Sequence, residues 1–502
     1  MGVTPLRLAI IASLCAALAL ALWRPSDTGG VAAGIEGRLL DLRFALRGPR
    51  PPPDGVAVLA VDDRALAAIG AFPPPRSALA AGIEAARGAG AAVVALDLLL
   101  PGTGEGDAAL STALAARPDA VLAVSLGKGA PPGDALAAAL RASAVDVALT
   151  SPPPAPAGVL GPSDAFLTGP ALGHVNIAPE VGGSLHRMPL ALTAPGGATV
   201  PALPLAAVRL LTGDAIVLAS GEAVLIGERR IPLDAQDAAA INWFGPEGTV
   251  PTVSLVEAGS TGLDGRIVFL GATARGFGDR LATPFDRRMP GVEALATLAA
   301  NLVSGETLRR DGTTWMLDIL LALAAALVAV LAAARDRPSL ALGTTAAVWF
   351  GTGAILMLAF SRFLWLDAVT PVAALTVAGI AGATARRAVQ RERMANLARY
   401  QSPLMAETLA RSARPDLDGR AQSAAALFVD AAGFTARSAR LGPEATFRFL
   451  RDLHAAIERA ALASRGVVEQ YAGDGAMVLF GLPDPGPDDA ANALACIDRL
   501  FA

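Results

Sequence analysis

Residues 314–393 read TWMLDILLALAAALVAVLAAARDRPSLALGTTAAVWFGTGAILMLAFSRFLWLDAVTPVAALTVAGIAGATARRAVQRER. Three apolar runs lie in it: Thr314–Ala334 with only Asp318 near one end, Ser339–Phe360 with no charge, and Leu364–Ala385 with only Asp367 near its start. About 20 apolar residues suffice to cross a hydrocarbon core of about 30 Å, so each run predicts a membrane-spanning helix. The absence of polar faces argues against buried helices of a water-soluble protein. Arg335, Asp336 and Arg337 separate the first two runs, Arg362 follows the second, and Arg386, Arg387, Arg391 and Arg393 follow the third. This excess of arginine predicts a cytoplasmic C-terminal side.

Working toward the N-terminus, residues 8–23, LAIIASLCAALALALW, form another uncharged run, followed directly by Arg24 and Pro25. No small-residue cleavage pattern follows promptly, so an anchor over about 6–23 is preferred to a cleaved signal peptide. Residues 1–29 then hold a cytoplasmic stub and the first span. Counting spans from the C-terminal side puts residues 30–310 outside and Arg7 inside.

Composition agrees with a multi-domain membrane protein: 53% of the 502 residues are hydrophobic, 17% are charged, and mean hydropathy is +0.49. The formal charge of −4 offers no basic excess for nucleic acid, which is excluded as a partner. The two cysteines, Cys15 and Cys496, provide no disulfide framework. Of the lysines and arginines all but Lys128 are arginine, which points to a GC-rich bacterial genome and a multi-pass protein of the inner (plasma) membrane.

Between the first span and the other three, short apolar runs alternate with amphipathic stretches: VAVLAV (56–61), RSALAAGIEAARGAG (76–90), AAVVALDLLL (91–100), DAALSTALAA (107–116) and AVLAVSL (120–126). This rhythm predicts an α/β sandwich with a largely parallel sheet. Further strands are expected at AAINWF (239–244) and RIVFLGA (266–272), with surface connectors at Pro49–Pro53 and Ser151–Pro156. The order DLRFALRGPRPPPDGVAVLAVDDRALAAIG (41–70), GDAAL (106–110), GHVNIAPEVGGSLHRMPL (173–190), RIVFLGATARGFGDRLATPF (266–285) and MPGVEALA (289–296) resembles the CHASE2 extracellular sensor domain. The resemblance implies an extracytoplasmic sensor between one span and three, with an unidentified ligand. Asp62, Asp63 and Asp97 follow strand-like runs at a sheet edge, where caps and turns are the simpler reading than a ligand or cation site. PGTGEGDAAL (101–110) lacks the G-x-G-x-x-G spacing and reads as a strand-to-helix turn. His174 and His186 are twelve residues apart with no cysteine or second acidic partner at metal spacing and read as ordinary polar residues.

After the spans, residues 386–422 are Arg-rich and helical in character, a linker. From residue 423 the sequence predicts a β-α-β-β order: AAALFVD ending at Asp430, the small-residue turn AAGFT with Thr435 as a helix cap, and a helix Pro443–Ser464 with Phe447, Leu450, Leu453 and Ile457 on its apolar face. VVEQYAGDGAMVLFG (467–481) then forms a hairpin with Asp474 and Gly475 at its turn. Were the two strands neighbours, Asp430 and Asp474 could hold a pair of divalent ions against a triphosphate.

FVDAAGFT (428–435) followed by YAGDGAMVLFG (471–481) resembles the class III adenylate and guanylate cyclase domain. The resemblance implies an α+β, ferredoxin-like fold, of which residues 423–502 are the N-terminal half. It implies two Mg2+ (or Mn2+) held by Asp430 and Asp474 with the Ala431 carbonyl, and phosphates lying against Gly433, Phe434 and Thr435. It also implies ATP or, less favoured, GTP as substrate, and a head-to-tail homodimer. Gln470 occupies the base-reading position, three residues before Gly473, where Lys or Glu is usual. The family's second base-selecting residue and its Asn and Arg fall beyond Ala502, so the chain as written is expected to be inactive alone, with no further catalytic residue in it. The competing readings are a non-catalytic sensor or pseudocyclase and, less well supported, a histidine kinase, whose only cytoplasmic histidine would be His454.

Overall fold

The structure is a computed structural model and describes residues 4–24, 30–147, 156–177, 180, 183–219, 221–234, 237–260, 262–398, 421–482 and 484–502. It separates into two compact units, Met1–Ala385 and Arg386–Ala502. The expected connector Ser151–Pro156 lies outside the described residues save for Pro156, and so do residues 399–420 of the expected linker.

In the first unit the continuous apolar runs become strands buried on both faces, as parallel strands under helices must be. β1 (Val56–Val61) lies between β6 (Thr252–Ser254) and β7 (Ile267–Ala272); β7 pairs with β2 (Val93–Asp97), and β2 with β3 (Ala120–Ala130), all parallel. β3 continues in parallel to β5 (Ala171–His174) and in its later half antiparallel to β4 (Val159–Leu160). Val56, Val58 and Ala60 join one core, and Ala57, Leu59 and Val61 the other. The first core also takes α2 (Gly30–Arg47), α7 (Leu203–Thr212) and α8 (Gly291–Ser304); the second takes α4 (Arg76–Gly88) and α5 (Asp107–Ala115). The short helices α3 (Asp63–Ile69) and α6 (Asp134–Ser143) complete the set before α7.

The strand expected over 239–244 is shorter, Ala238–Ala240. Beyond it the backbone leaves the ladder, because the Asn242 N–H donates to Asn301 Oδ1 (2.8 Å) and the Asn242 side chain donates to the Glu306 carbonyl (2.8 Å).

Four helices are long and apolar enough to cross a membrane: α1 (Pro5–Trp23), α9 (Gly312–Ala333), α10 (Pro338–Ser361) and α11 (Val369–Ala398). Small residues let them approach closely. Ala9 and Ala17 of α1 share a core with Ala322, Ala325, Ala326 and Ala329 of α9 and Ala374 and Ala378 of α11. A Cβ on Gly382 of α11 would fall 2.5 Å from the Val330 carbonyl oxygen.

The last run corrects the expected span: α11 starts at Val369, not Leu364. The Asp367 carboxylate accepts the N–H groups of Val369 (3.2 Å) and Thr370 (3.1 Å), which fixes the helix start there. The residues before it are extended, with Trp365 N–H donating to the Arg309 carbonyl (3.0 Å) and Arg309 N–H to that of Phe363 (2.7 Å). At its other end α11 runs on to Ala398, past the expected end of the span.

The second unit has a three-stranded antiparallel sheet in the order β8 (Ala425–Asp430), β10 (Gly475–Phe480), β9 (Val467–Ala472). One face is covered by α12 (Phe434–Ala463) and α13 (Asp489–Phe501), whose Ile457, Ala460, Ala461 and Cys496 pack on Ala476, Val478 and Phe480. α12 is kinked at Gly442 (φ 74°, ψ 167°), so its second segment begins at Pro443, the N-terminal position proline tolerates. Leu453 and Ile457 of that segment meet the core, but Phe447, expected on the apolar face, is 68% exposed.

Candidate functional site

In the second unit, the register of β8 on β10 sets Asp430 opposite Gly475, the residue that follows Asp474. The two carboxylates of the sequence reading therefore stand at one end of the sheet. Gly475 opens β10, and the two-residue loop is Gly473–Asp474, one residue earlier than the expected Asp474–Gly475. Gly473 supplies the left-handed residue (φ 65°) that such a loop needs. Glycine at 475 has a separate cause: a Cβ there would lie 2.9 Å from the Val429 carbonyl oxygen and 3.1 Å from Asp430 Oδ1.

The neighbouring turn is built differently from expectation. Gly433 (φ 72°) is the N-cap of α12, and Thr435 lies inside the first turn without a capping side-chain bond, because only glycine takes the left-handed cap without strain. The Ala431 carbonyl accepts the Phe434 N–H at 3.2 Å, and the Phe434 ring stacks on Phe449 with centroids 6.1 Å apart. Strand β9 carries a bulge between Val468 and Gln470, so Glu469 is an extra residue. The bulge sets Gln470 opposite Met477 and Tyr471 opposite Ala476. Tyr471 consequently meets the His454 ring of α12 (centroids 4.4 Å apart), whereas Gln470 shares the helix-free face with Asp430 and with Phe428, which is 74% exposed. Simple alternation from Glu469 to Gln470 does not hold.

In the first unit, buried His186 joins acidic partners that the spacing rule overlooked. Nε2 lies 2.8 Å from Asp41 Oδ1 of α2 and Nδ1 lies 3.0 Å from Glu180 Oε2. Burial alone would lower its pKa, but the bonds to Asp41 and Glu180 outweigh it and raise the pKa to about 9. Asp41 was invisible to spacing because it lies 145 residues away. His174 is the opposite case: it is fully buried, neither ring nitrogen has a partner among the described residues, and desolvation lowers its pKa to about 3.

Asp41 and Ser184 also line a cavity of about 760 Å3 with Arg38 of α2 and Thr283, Asp286 and Arg287 of the 282–287 loop. Of the three aspartates at the sheet edge, Asp62 caps α3, accepting the Ala65 N–H at 2.8 Å and the Ser254 hydroxyl at 2.7 Å. Asp63 accepts the Arg275 N–H at 3.3 Å, and Asp97 is raised to about 8 by burial and by the charge of Asp279. In the 101–110 turn, Asp107 accepts the Gly104 N–H (3.0 Å) and pairs with Arg76. Among the described residues, no group of three or more His, Cys, Asp or Glu is arranged to hold a metal ion.

A buried polar network ties α2 to the ends of the apolar helices. Glu36 accepts from Trp365 Nε1 (2.9 Å) and the Ala368 N–H (2.8 Å) and pairs with Arg43, which donates to the Leu366 carbonyl (2.8 Å). Asp318 of α9 accepts the Asp367 N–H (2.9 Å) and pairs with Arg310 (2.6 Å). The two acidic residues met inside apolar runs are thus the fastenings of the domain to its helices.

No curated protein matches the chain. The CHASE2 domain family, by contrast, matches residues 13–334, which takes in most of α1, the whole α/β domain and α9. The match covers well over half of the sequence, and the chain belongs to the CHASE2 domain family.

Proposed function

We propose that the chain is the sensing and anchoring part of a receptor-type class III nucleotidyl cyclase. A CHASE2 domain suggests extracellular sensing and signalling, and four apolar helices are consistent with a membrane protein. In this reading residues 30–310 lie outside a bacterial inner membrane and the second unit lies in the cytoplasm. In the same reading the protein works as a homodimer that converts ATP, or less readily GTP, to the 3′,5′-cyclic nucleotide and pyrophosphate.

The observation that supports it best is the pairing of Asp430 with Gly475, beside Asp474, at an exposed end of the sheet. The absence of a Cβ at 475 leaves room for the Asp430 carboxylate, and two carboxylates with the second lone pair of the Ala431 carbonyl form an all-oxygen donor set suited to Mg2+ or Mn2+. Bound there, such ions would neutralise the triphosphate for attack by the ribose 3′-hydroxyl on the α-phosphorus. Gln470, on the same face, would read the base, since its amide both donates and accepts. Gly433 and Thr435 would lie along the phosphates.

A non-catalytic sensor is the second reading, favoured by the stacking of Phe434 on Phe449 rather than toward a nucleotide. The two are separated by assaying cyclic nucleotide formation by the whole gene product, inserted in membranes, with Mg2+ and with Mn2+. Metal-dependent product is the expected result. A folded, inserted protein without activity would leave the sensor reading.

A further inference from the structure

The polarity of α2 is inverted. Its inward face carries Glu36 and Arg43, which are 3% and 5% exposed, together with buried Leu40 and Phe44. Its outward face carries Val31, Ile35, Leu42 and Leu46, exposed by 81%, 47%, 52% and 65%. Spacings of four, seven and four residues set these side chains in one stripe. A helix bathed in water shows the reverse arrangement, with charges outside and apolar groups inside.

The surroundings of α2 identify what bathes the stripe. Leu39 joins an apolar cluster with Leu321 of α9, Leu356 and Ala359 of α10, and Leu366 and Ala368. Leu321 lies nine residues into α9, about 14 Å along the helix at 1.5 Å per residue, so the cluster that Leu39 joins reaches along the apolar length of α9 and not only its tip. Phe44 stacks edge-on with Phe360, near the end of α10 (centroids 5.0 Å apart). The helices beside which Leu39 and Phe44 pack carry exposed apolar residues of their own, Met316 and Leu320 on α9 and Phe350 on α10.

We propose that α2 is an interfacial helix whose Val31–Ile35–Leu42–Leu46 stripe is covered by the acyl chains of the leaflet facing the sensor domain. Arg38, the one charged residue within the stripe, lies at the mouth of the 282–287 cavity with Arg287, and neither guanidinium has an ion pair or hydrogen bond among the described residues. Both are placed to reach lipid phosphates, as arginine does at the edge of the apolar layer. The sensor is then in contact with the bilayer through the same helix that holds His186 by Asp41 and the start of α11 by Glu36. The inference rests on the four helices crossing the membrane and is independent of the cyclase reading.

The test uses the full chain with Cys15→Ser and Cys496→Ala, reconstituted in phosphatidylcholine nanodiscs, with one bimane label at Leu42→Cys. Phe350→Cys, 82% exposed on α10, is the membrane control, and Glu222→Cys on the sensor is the aqueous control. Lipids bearing a nitroxide high on the acyl chain should quench the labels at 42 and 350 severalfold more than the label at 222. Quenching at 350 but not at 42 overturns the inference while the spans stand, and quenching at neither overturns both. A label at 42 shielded from both the lipid nitroxide and a water-soluble quencher would mean that protein, such as a second copy of the chain, covers the stripe, and lipid would be rejected as its occupant.

Discussion

Glu36 Oε2 accepts the backbone N–H of Ala368 at 2.8 Å and that of Val369 at 3.3 Å, so a carboxylate of α2 closes the first turn of α11. Burial raises the Glu36 pKa to about 7; Arg43 opposes the shift and Asp367 adds to it. A folded-state pKa above the unfolded value of 4.5 means that the native state holds the extra proton between the two. The stabilisation is complete below pH 4.5 and is lost as pH rises to about 7. Its size is on the order of 3 kcal/mol. Thermal unfolding of the full chain in nanodiscs should show a falling midpoint across that window, and Glu36→Gln should flatten it. An unchanged slope in Glu36→Gln would place the titration elsewhere.

His186 acts in a higher window. Its pKa of about 9 gives stability that is complete below pH 6.5 and lost as pH rises through about 9. His186→Gln leaves the part-exposed Asp41 and Glu180 facing a neutral side chain, which costs about 1–3 kcal/mol. The midpoint at pH 6 should drop sharply, and the slope between 6.5 and 9 should flatten while that below 7 persists. Loss of both slopes together would show general loosening instead of a local charge effect.

These networks also mark the limit of what the sequence discloses. VAVLAV and IVFLGA are legible as strands because a parallel sheet buried on both faces demands unbroken apolar runs, and the spans are legible because lipid demands length. The partners of His186 and Glu36 are not legible, since Asp41 lies 145 residues from His186 and Ala368 lies 332 from Glu36. The helix α2 leaves no ordinary amphipathic signal, because its charged pair points inward. In the second unit the strand pairing sets Asp430 opposite Gly475, the residue after Asp474, but the bulge at Glu469 and the kink at Gly442 are single-residue events that periodicity averages away.

The end of α12 gives a test of local packing. Gly466 stands where a left-handed cap would be expected, yet the left-handed residue is Arg465 (φ 59°). Gly466 is required instead by Phe480, whose ring would lie 2.4 Å from an added Cβ. Gly466→Ala should cost about 1–3 kcal/mol through overpacking. Arg465→Gly, which relieves a strained backbone, should be neutral or gain up to about 1 kcal/mol. Cys496, buried in the same core, reports both: in a Cys15→Ser background its thiol should react at lower denaturant in Gly466→Ala only. Equal labelling curves would show that Phe480 moves aside without cost.

On the proposed cyclase reading, Asp430→Asn and Asp474→Asn should each lower the rate of the whole gene product by at least about 100-fold, because each removes charge that holds a catalytic ion. Circular dichroism should be unchanged, since both residues lie at the rim of the sheet and not in its core. Near-normal turnover in either variant would remove the two-metal assignment.

On the same proposed reading, Gln470 carries the choice of base. Counted outward from the Val468–Val478 pair without a bulge, Gln470 would oppose Ala476 and point toward α12; with the bulge it opposes Met477, two positions along β10 from the Gly475 that pairs with Asp430. Residues two apart on a strand share a face, so Gln470 and Asp430 belong to the same side of the sheet. A lysine at 470 would donate to adenine N1 but meet the N1–H donor of guanine, a mismatch of about 1–3 kcal/mol. Gln470→Lys in the whole gene product should therefore raise the ratio of kcat/KM for ATP over GTP by about 5- to 150-fold. Tyr471→Phe, on the helix side beside His454, should leave that ratio unchanged. A ratio that moves in Glu469→Lys but not in Gln470→Lys would assign base reading to the bulged residue, and a ratio that moves in neither would put it outside β9.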